Sequence, residues 1–347
     1  ELLQGLAVLL DLAADHDELV LLGEVRVLFY ARVLERGQRH ADRGFAQLVL
    51  FAERDHLTRV DCSDLSIEQV PHPPGWAGFR VLVAFSGGVD STLLLKAAAD
   101  VLGDRVLAVT ALSATTPDHE RRDAANFTRS MGVDHLEIAS NELTLPAFIE
   151  NPPDKCYICK KSRFGELVRL ASEKAIPWVV DGANMDDDGD YRPGSRAARE
   201  LGVRSPLREA GMTKPEIRQL SRLLGLPTWN KPSYACLASR IPYGHSITPE
   251  KLKQVDAGEA FIRGLGISWQ VRIRHEEDTA RIEVETEAIA RFMDKDVRQQ
   301  IVSRLRALGF RFVALDLEGY TTGSLNRVID TETGIQEKTL EERVTNG

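Results

Sequence analysis

Cysteine is scarce in this chain, with four in 347 residues, so no disulfide framework organises it. Long apolar runs are missing too. The best early stretch, Leu6–Leu10, meets Asp11 at once, far short of the ~18 residues that cross a bilayer. No Lys or Arg precedes Arg26, whereas a secretory signal needs a basic start. Positive charge is not in excess, 44 Lys+Arg standing against 52 Asp+Glu, so the balance announces no nucleic-acid binder. Aromatics are held to 6%, yet 43% of residues are hydrophobic and 28% charged. That is enough apolar mass for proper cores and excludes disordered and fibrous classes. The expectation is a two-domain protein of a reducing cytoplasm with no membrane partner.

Lysine is missing from residues 1–75, which hold seven of the 44 basic residues and 13 of the 52 acidic ones, leaving 37 against 39 in the remainder. They carry His16, His40, His56 and His72, and their leucines keep no sustained period. A mis-set start or a poorly structured extension is expected there, rather than an accessory domain. Pro71-His72-Pro73-Pro74-Gly75 then breaks the chain. From Val81–Phe85, short apolar strands (Val106–Leu112, His135–Ile138, Trp178–Asp181) alternate with helical stretches at Arg121–Met131, Lys161–Lys174 and Lys214–Leu224. That order predicts an α/β fold, a doubly wound parallel sheet over residues 76–232, with its ligand at the strands' C-terminal ends. Residues 233–330 predict a smaller α+β domain. It has a helix opening at Thr248-Pro249-Glu250, alternating strands Val271–Arg274 and Ala280–Glu285 about a His275–Thr279 connection, helices within Glu287–Leu308, and a strand Phe310–Leu317. Residues 331–347 read as a tail.

Ser86-Gly87-Gly88-Val89-Asp90-Ser91-Thr92 lies between a buried strand and a helix that runs through Ala99. Glycines let backbone approach phosphate oxygens, the helix start offers N–H groups and a positive dipole end, and Ser86, Ser91 and Thr92 add hydroxyls. Asp90 fits beside phosphate only if it orders the loop or helps place Mg²⁺. The Walker lysine before Ser/Thr is absent. A serine-capped glycine turn would share the sequence. Cys156 and Cys159 form a CxxC among lysines, and Cys236 follows 77 residues later. Incidental spacing, a redox pair, zinc with a histidine, or a 4Fe–4S cluster on three thiolates with one open iron all suit these residue types. Cys236 alone would also serve as a small buried hydrophobe.

The loop resembles the SGGxDS/T PP-loop of ATP pyrophosphatases. Asp181-Gly182-Ala183-Asn184, Tyr191-Arg192-Pro193-Gly194, Ala197-Ala198-Arg199-Glu200, Ser205-Pro206-Leu207 and Lys231-Pro232-Ser233 running into Cys236-Leu237-Ala238-Ser239-Arg240-Ile241-Pro242-Tyr243-Gly244 are similar to one family. It is the LarE type, ATP-dependent sulfur transferases that build the nickel-pincer cofactor of lactate racemase. The resemblance spans about residues 76–330. It implies that ATP adenylates a carboxylate of a pyridinium mononucleotide, that pyrophosphate leaves, and that sulfur displaces AMP to give a thiocarboxylate. It implies ATP and Mg²⁺ at Ser86, Gly87, Gly88, Asp90, Ser91, Thr92, Thr110, Gly182 and Asn184. It also implies a 4Fe–4S cluster on Cys156, Cys159 and Cys236, where other members sacrifice the single cysteine matching Cys236. A sulfide donor and a hexamer of identical chains complete the implied partners.

The alternation of Val271–Glu285 puts Val271, Ile273, Ile282 and Val284 on one face, and Arg272, Arg274, Arg281, Glu283 and Glu285 on the other. That second face reads as solvated and salt-bridged. With the resemblance it reads as a substrate grip by Arg272 and Arg274, joined by Arg240 and Arg192, with Glu283 as an arginine partner or a divalent-ion ligand. Asp186-Asp187-Asp188 reads as a solvated acidic loop. tRNA thiolation is the runner-up, opposed by the near-neutral charge beyond residue 75. An ammonia-using amide synthetase of the NAD synthetase type leaves three cysteines unexplained, and a non-catalytic nucleotide-binding module would release no pyrophosphate.

Overall fold

The computed structural model describes residues 80–189, 193–232, 235–268 and 270–321. Expectations for residues 1–75, for Arg192 and for the tail from residue 331 lie outside them. The chain divides into two compact units. The first comprises residues up to Ala111 with Glu120–Ser140 and Lys160–Ser233, and the second comprises Leu112–His119, Asn141–Cys159 and everything from Tyr234.

In the first unit β1 (Val81–Ala84) runs parallel to both β2 (Val106–Leu112) and β4 (Trp178–Val180), and β3 (Asp134–Ala139) completes the order β3-β2-β1-β4. Period-2 alternation assigns β1 to two cores. Val81 and Val83 pack with α1 (Val89–Leu102), while Leu82 packs with Phe164, Leu167 and Ala171 of α3 (Lys155–Glu173). The helix α2 (Asp118–Ser130) starts three residues before the sequence reading. The helix α3 starts six residues early, because Lys155 N–H and Tyr157 N–H bond back to the carbonyls of Pro152 and Asp154. The CxxC therefore occupies a helical first turn. The helix α4 (Pro193–Glu200) precedes α5 (Lys214–Leu223), which opens at the expected Thr213 with Glu216 closing a capping box.

In the second unit α6 (Pro249–Gly264) is capped by Thr248, whose side chain accepts from Lys251 N–H. The strands β5 (Arg272–Glu276) and β6 (Thr279–Glu283) pair antiparallel, with His275 opposite Ala280 and Glu276 opposite Thr279. The connection is thus two residues, shorter than His275–Thr279, and Glu277 takes φ 52° to close it. The helix α7 (Lys295–Ala307), capped by Asp294, carries the chain over to β7 (Phe312–Leu315), parallel to β6. Val271, Ile273, Ile282 and Val284 all enter this unit's core, as their alternation requires. No helix among the described residues is long and apolar enough to cross a membrane.

Two histidines make the fold acid-sensitive. His135 shares a hydrogen bond with Thr110 Oγ1 at 2.8 Å, and His275 Nε2 meets Gln254 Oε1 at 2.8 Å. Burial holds both rings below the ordinary histidine range, against the pull of Glu137 on His135 and helped by Lys251 on His275. The unfolded chain then binds protons that the folded chain refuses, so stability is full at neutral pH and falls as pH drops below about 6.5. Denaturant midpoints should decline between pH ~7.5 and ~5.5, and the decline should shrink in His275→Gln. A flat profile would contradict this reading.

Candidate active site

The phosphate loop belongs wholly to the first unit. Gly87 takes φ 70°, and a Cβ there would come within 3.2 Å of the Ala124 Cβ. Gly88 is the N-cap of α1 and offers no side-chain cap, so the first N–H groups of the helix are left to an anion. Ser91 stabilises the bend: its Oγ donates to Gly88 O at 3.2 Å and lies 3.1 Å from Ser86 Oγ. Thr92 Oγ1 is buried without a hydrogen-bond partner among the described residues, an orphan that a phosphate would satisfy. Thr110, expected at the nucleotide, donates its hydroxyl to Phe85 O at 2.8 Å and shares a hydrogen bond with His135. It ties β2 to the strand end that feeds the loop.

The Asp181–Asn184 turn packs directly on this loop. A Cβ on Gly182 would stand 2.8 Å from Ser91 N and 3.1 Å from its Cα, so only glycine fits there. Asp181 fixes the turn by accepting from Ser205 Oγ at 2.7 Å and Ala183 N–H at 3.2 Å. Asn184 is buried and donates to Asp90 Oδ1 at 3.1 Å, while Lys214 Nζ reaches Asp90 Oδ2 at 2.5 Å. Lys231 Nζ lies 3.1 Å from Gly87 O and 3.1 Å from Asp123. Two lysines from far along the chain therefore bring positive charge to a loop that lacks the Walker lysine. Sequence reasoning missed both, since Lys214 read as a helix start and Lys231 as part of a family motif. Mg²⁺ needs one or two carboxylates beside phosphates and waters, and Asp90 is positioned to be one.

Cys156, Cys159 and Cys236 belong to the second unit. Asn151, fully buried at φ 57°, donates to the carbonyls of Ile241, Pro242 and His245 at 3.2, 2.6 and 3.0 Å. That stitches the segment leading to Cys156 and Cys159 against the one that follows Cys236. Lys155 is buried in the seam, donating to Asn151 Oδ1 at 2.5 Å and Ala238 O at 3.3 Å, with Nζ 4.4 Å from the Tyr243 ring centre. Burial pushes its ammonium below the usual lysine range, and the sulfurs of Cys236 and Cys156 draw it back up. Cys156 is exposed, whereas Cys159 and Cys236 are half-buried against the unit's core. Three thiols suit a cluster with an open iron in number and kind. Yet no three His, Cys, Asp or Glu side chains among the described residues gather as a metal-binding set. The fold brings the cysteine segments together without presenting a finished ligand set, because Cys156 faces outward while its companions pack inward.

The arginines correct the solvated-face reading. Arg240, Arg272 and Arg274 are all buried. Arg274 forks onto Glu283, Nε to Oε1 at 2.9 Å and Nη2 to Oε2 at 2.7 Å, and its Nη1 holds Ser239 O at 2.7 Å. Arg281 adds a third donor to Glu283 at 3.0 Å. Guanidinium groups therefore contact both Glu283 oxygens, the arginine partnership that the sequence left open beside a divalent-ion role. Arg240 makes the same fork with Glu259, at 2.8 and 3.0 Å, and also holds Cys236 O at 3.1 Å. Arg272 lies over the Tyr320 ring at 5.1 Å. Burial and the neighbouring Arg240 hold its guanidinium below the ordinary arginine range. Arg240, Arg272 and Arg274, with Arg263 and Arg281 reaching the same two glutamates, gather guanidinium charge by the Cys236 backbone, a setting that favours an entering anion.

No family model matches the chain. An uncharacterized protein of Synechocystis sp. is 46% identical over 250 residues, 72% of this chain and 93% of that protein. The pyridinium-3,5-bisthiocarboxylic acid mononucleotide synthase of Lactiplantibacillus plantarum is 40% identical over 248 residues, 71% of this chain and 89% of that enzyme. A tRNA-specific 2-thiouridylase of Bradyrhizobium sp. is 28% identical over 191 residues, 44% of this chain and 48% of its own length.

Proposed function

Since this chain belongs to the LarE family of pyridinium-3,5-bisthiocarboxylic acid mononucleotide synthases, we propose that it is an ATP-dependent sulfur transferase acting on a pyridinium dicarboxylate mononucleotide. The observation that carries the reading is the loop Ser86–Thr92, with Asp90 held between Asn184 and Lys214. The thiouridylase reading has less behind it, matching 44% of the chain.

A substrate carboxylate oxygen attacks the α-phosphorus of ATP, the bond to the bridging oxygen breaks, and pyrophosphate leaves; Mg²⁺ held by Asp90 would neutralise its charge. N–H groups left uncapped by side chains at the start of α1, with Ser86, Ser91 and Thr92, take up the charge that develops on the departing phosphates. The acyl adenylate then carries AMP as a good leaving group. A sulfur nucleophile adds to its carbonyl carbon, AMP departs, and a thiocarboxylate remains. Arg272, buried beside Arg240 and over the Tyr320 ring, serves the substrate's phosphate or carboxylates, while Arg240 and Arg274 hold the surrounding backbone. Cys236 handles the transferred sulfur, with Cys156 and Cys159 on the segment that Asn151 stitches to the one after Cys236. Cys156, Cys159 and Cys236 would hold a 4Fe–4S cluster, which would supply the sulfide and would spare Cys236 from sacrifice. The small-molecule partners are then the nucleotide and a sulfide donor, and a cytoplasmic homo-oligomer, a hexamer by family likeness, is the setting.

Product analysis tests this. Incubation with ATP and the carboxylated nucleotide should yield AMP, pyrophosphate and a product heavier by sulfur for oxygen, and ADP with phosphate would overturn the reading. Iron and sulfide assays on anaerobically purified protein, with the mass of Cys236 after turnover, separate the sulfur routes. Cluster delivery leaves Cys236 at full mass and makes Cys156→Ala colourless. Loss of H₂S mass at Cys236 with a fully active Cys156→Ala protein would favour sacrifice.

A further inference from the structure

We propose that Lys231 is a phosphate-binding residue of the adenylation site, its ammonium holding the pyrophosphate portion of ATP in place of the absent Walker lysine. This deepens the adenylation reading and rests on it.

The side chain of Lys231 is only 12% exposed, and its Nζ rests 3.1 Å from the carbonyl of Gly87, inside the phosphate loop. A carbonyl accepts the hydrogen bond without cancelling the charge. Among the described residues the one carboxylate within ion-pair reach is Asp123, at 3.1 Å and itself 54% exposed. Water screens such a carboxylate, so the ammonium keeps most of its charge at the loop. Two buried arginines are treated differently: Arg240 and Arg274 each fork onto a carboxylate that is 1% exposed. Lys214 does not compete for the role, because Asp90 engages it.

The lysine is also held rigidly. Arg218 sends one nitrogen to Trp229 O and another to Lys231 O, both at 2.9 Å, and Lys231 N–H bonds Thr228 O at 3.0 Å. A backbone clamped on both sides of a long cation gives up little rotamer freedom when a ligand arrives. An ammonium has three donors. Gly87 and Asp123 take two, which leaves one for a phosphate oxygen.

The rival is a strap, with Lys231 merely pinning the loop to residues 228–232. Titrating the full chain with inorganic pyrophosphate and separately with AMP distinguishes them. Lys231→Met should weaken pyrophosphate binding by about 10- to 100-fold, the range of a charge-assisted hydrogen bond, and leave AMP binding within a factor of about three. Asp123→Asn removes only the screened counter-charge, so pyrophosphate affinity should hold or rise. If Lys231→Met weakens both ligands alike, or Asp123→Asn reproduces its loss, the strap is right and the proposal fails. Unchanged pyrophosphate binding in Lys231→Met overturns it too. A wild-type chain that binds neither pyrophosphate nor ATP would instead overturn the adenylation reading.

Discussion

Replacing Asp90 by alanine should lower pyrophosphate release by about 10²- to 10³-fold, roughly 3–4 kcal/mol of transition-state stabilisation. Asp90 is the carboxylate on which the site converges, accepting from Asn184 Nδ2 at 3.1 Å and Lys214 Nζ at 2.5 Å. Its loss removes the oxygen positioned for Mg²⁺ and frees Lys214 to collapse onto the phosphates in the wrong place. The Asp181–Asn184 turn, packed so closely on α1 that a Cβ on Gly182 would stand 2.8 Å from Ser91 N, would lose its Asn184 hydrogen bond to α1. Asn184→Ala removes one donor and leaves the carboxylate, so its cost should stay near 1.5–3 kcal/mol, the value of a hydrogen bond to a charged group, or about tenfold to a hundredfold. Initial rates of pyrophosphate release at saturating ATP and Mg²⁺ measure both. An Asp90→Ala enzyme within threefold of wild type would remove Asp90 from the chemistry and return the loop to a glycine turn.

Glu259→Gln should destabilise the second unit by about 3–5 kcal/mol, the cost of stranding a buried charge. Glu259 is 1% exposed and Arg240 fully buried. Burial works to push the Glu259 carboxyl up, but Arg240 and Arg272 outweigh it and hold the group below the usual carboxylate range. Its oxygens accept from Arg240 twice, from Ile273 N–H at 3.0 Å and from Arg263 at 3.3 Å. One side chain thus joins α6, β5 and the Leu237–Arg240 turn. The amide keeps the shape and loses the charge, so Arg240 stays buried against Arg272 with its main compensation gone. The double change Arg240→Met with Glu259→Leu should cost less than Glu259→Gln, because no charge is then stranded. Denaturant unfolding followed by a probe in the second unit reads the difference. A loss under about 1 kcal/mol in Glu259→Gln would mean that water reaches the pair.

Much of this molecule was written in its sequence locally. The strand, glycine loop and helix of residues 81–102 follow from an apolar run, two glycines and an uncapped helix start. Thr213 with Glu216 and Thr248 with Pro249 announced the starts of α5 and α6. The alternation of Val271, Ile273, Ile282 and Val284 fixed which face of the hairpin enters the core. In each case the signal lies within a few residues, where backbone geometry and period operate. What covers a face, and which distant charge answers another, has no local period. Arg272, Arg274 and Glu283 alternate like a solvated face, and only packing made that face buried. Lys214 reaches Asp90 across 124 residues and Lys231 reaches Gly87 across 144. A lysine carries the same charge wherever it stands in the chain. Tertiary structure decides which lysine is desolvated against the phosphate loop, because burial and distance, not residue type, set the strength of a charge.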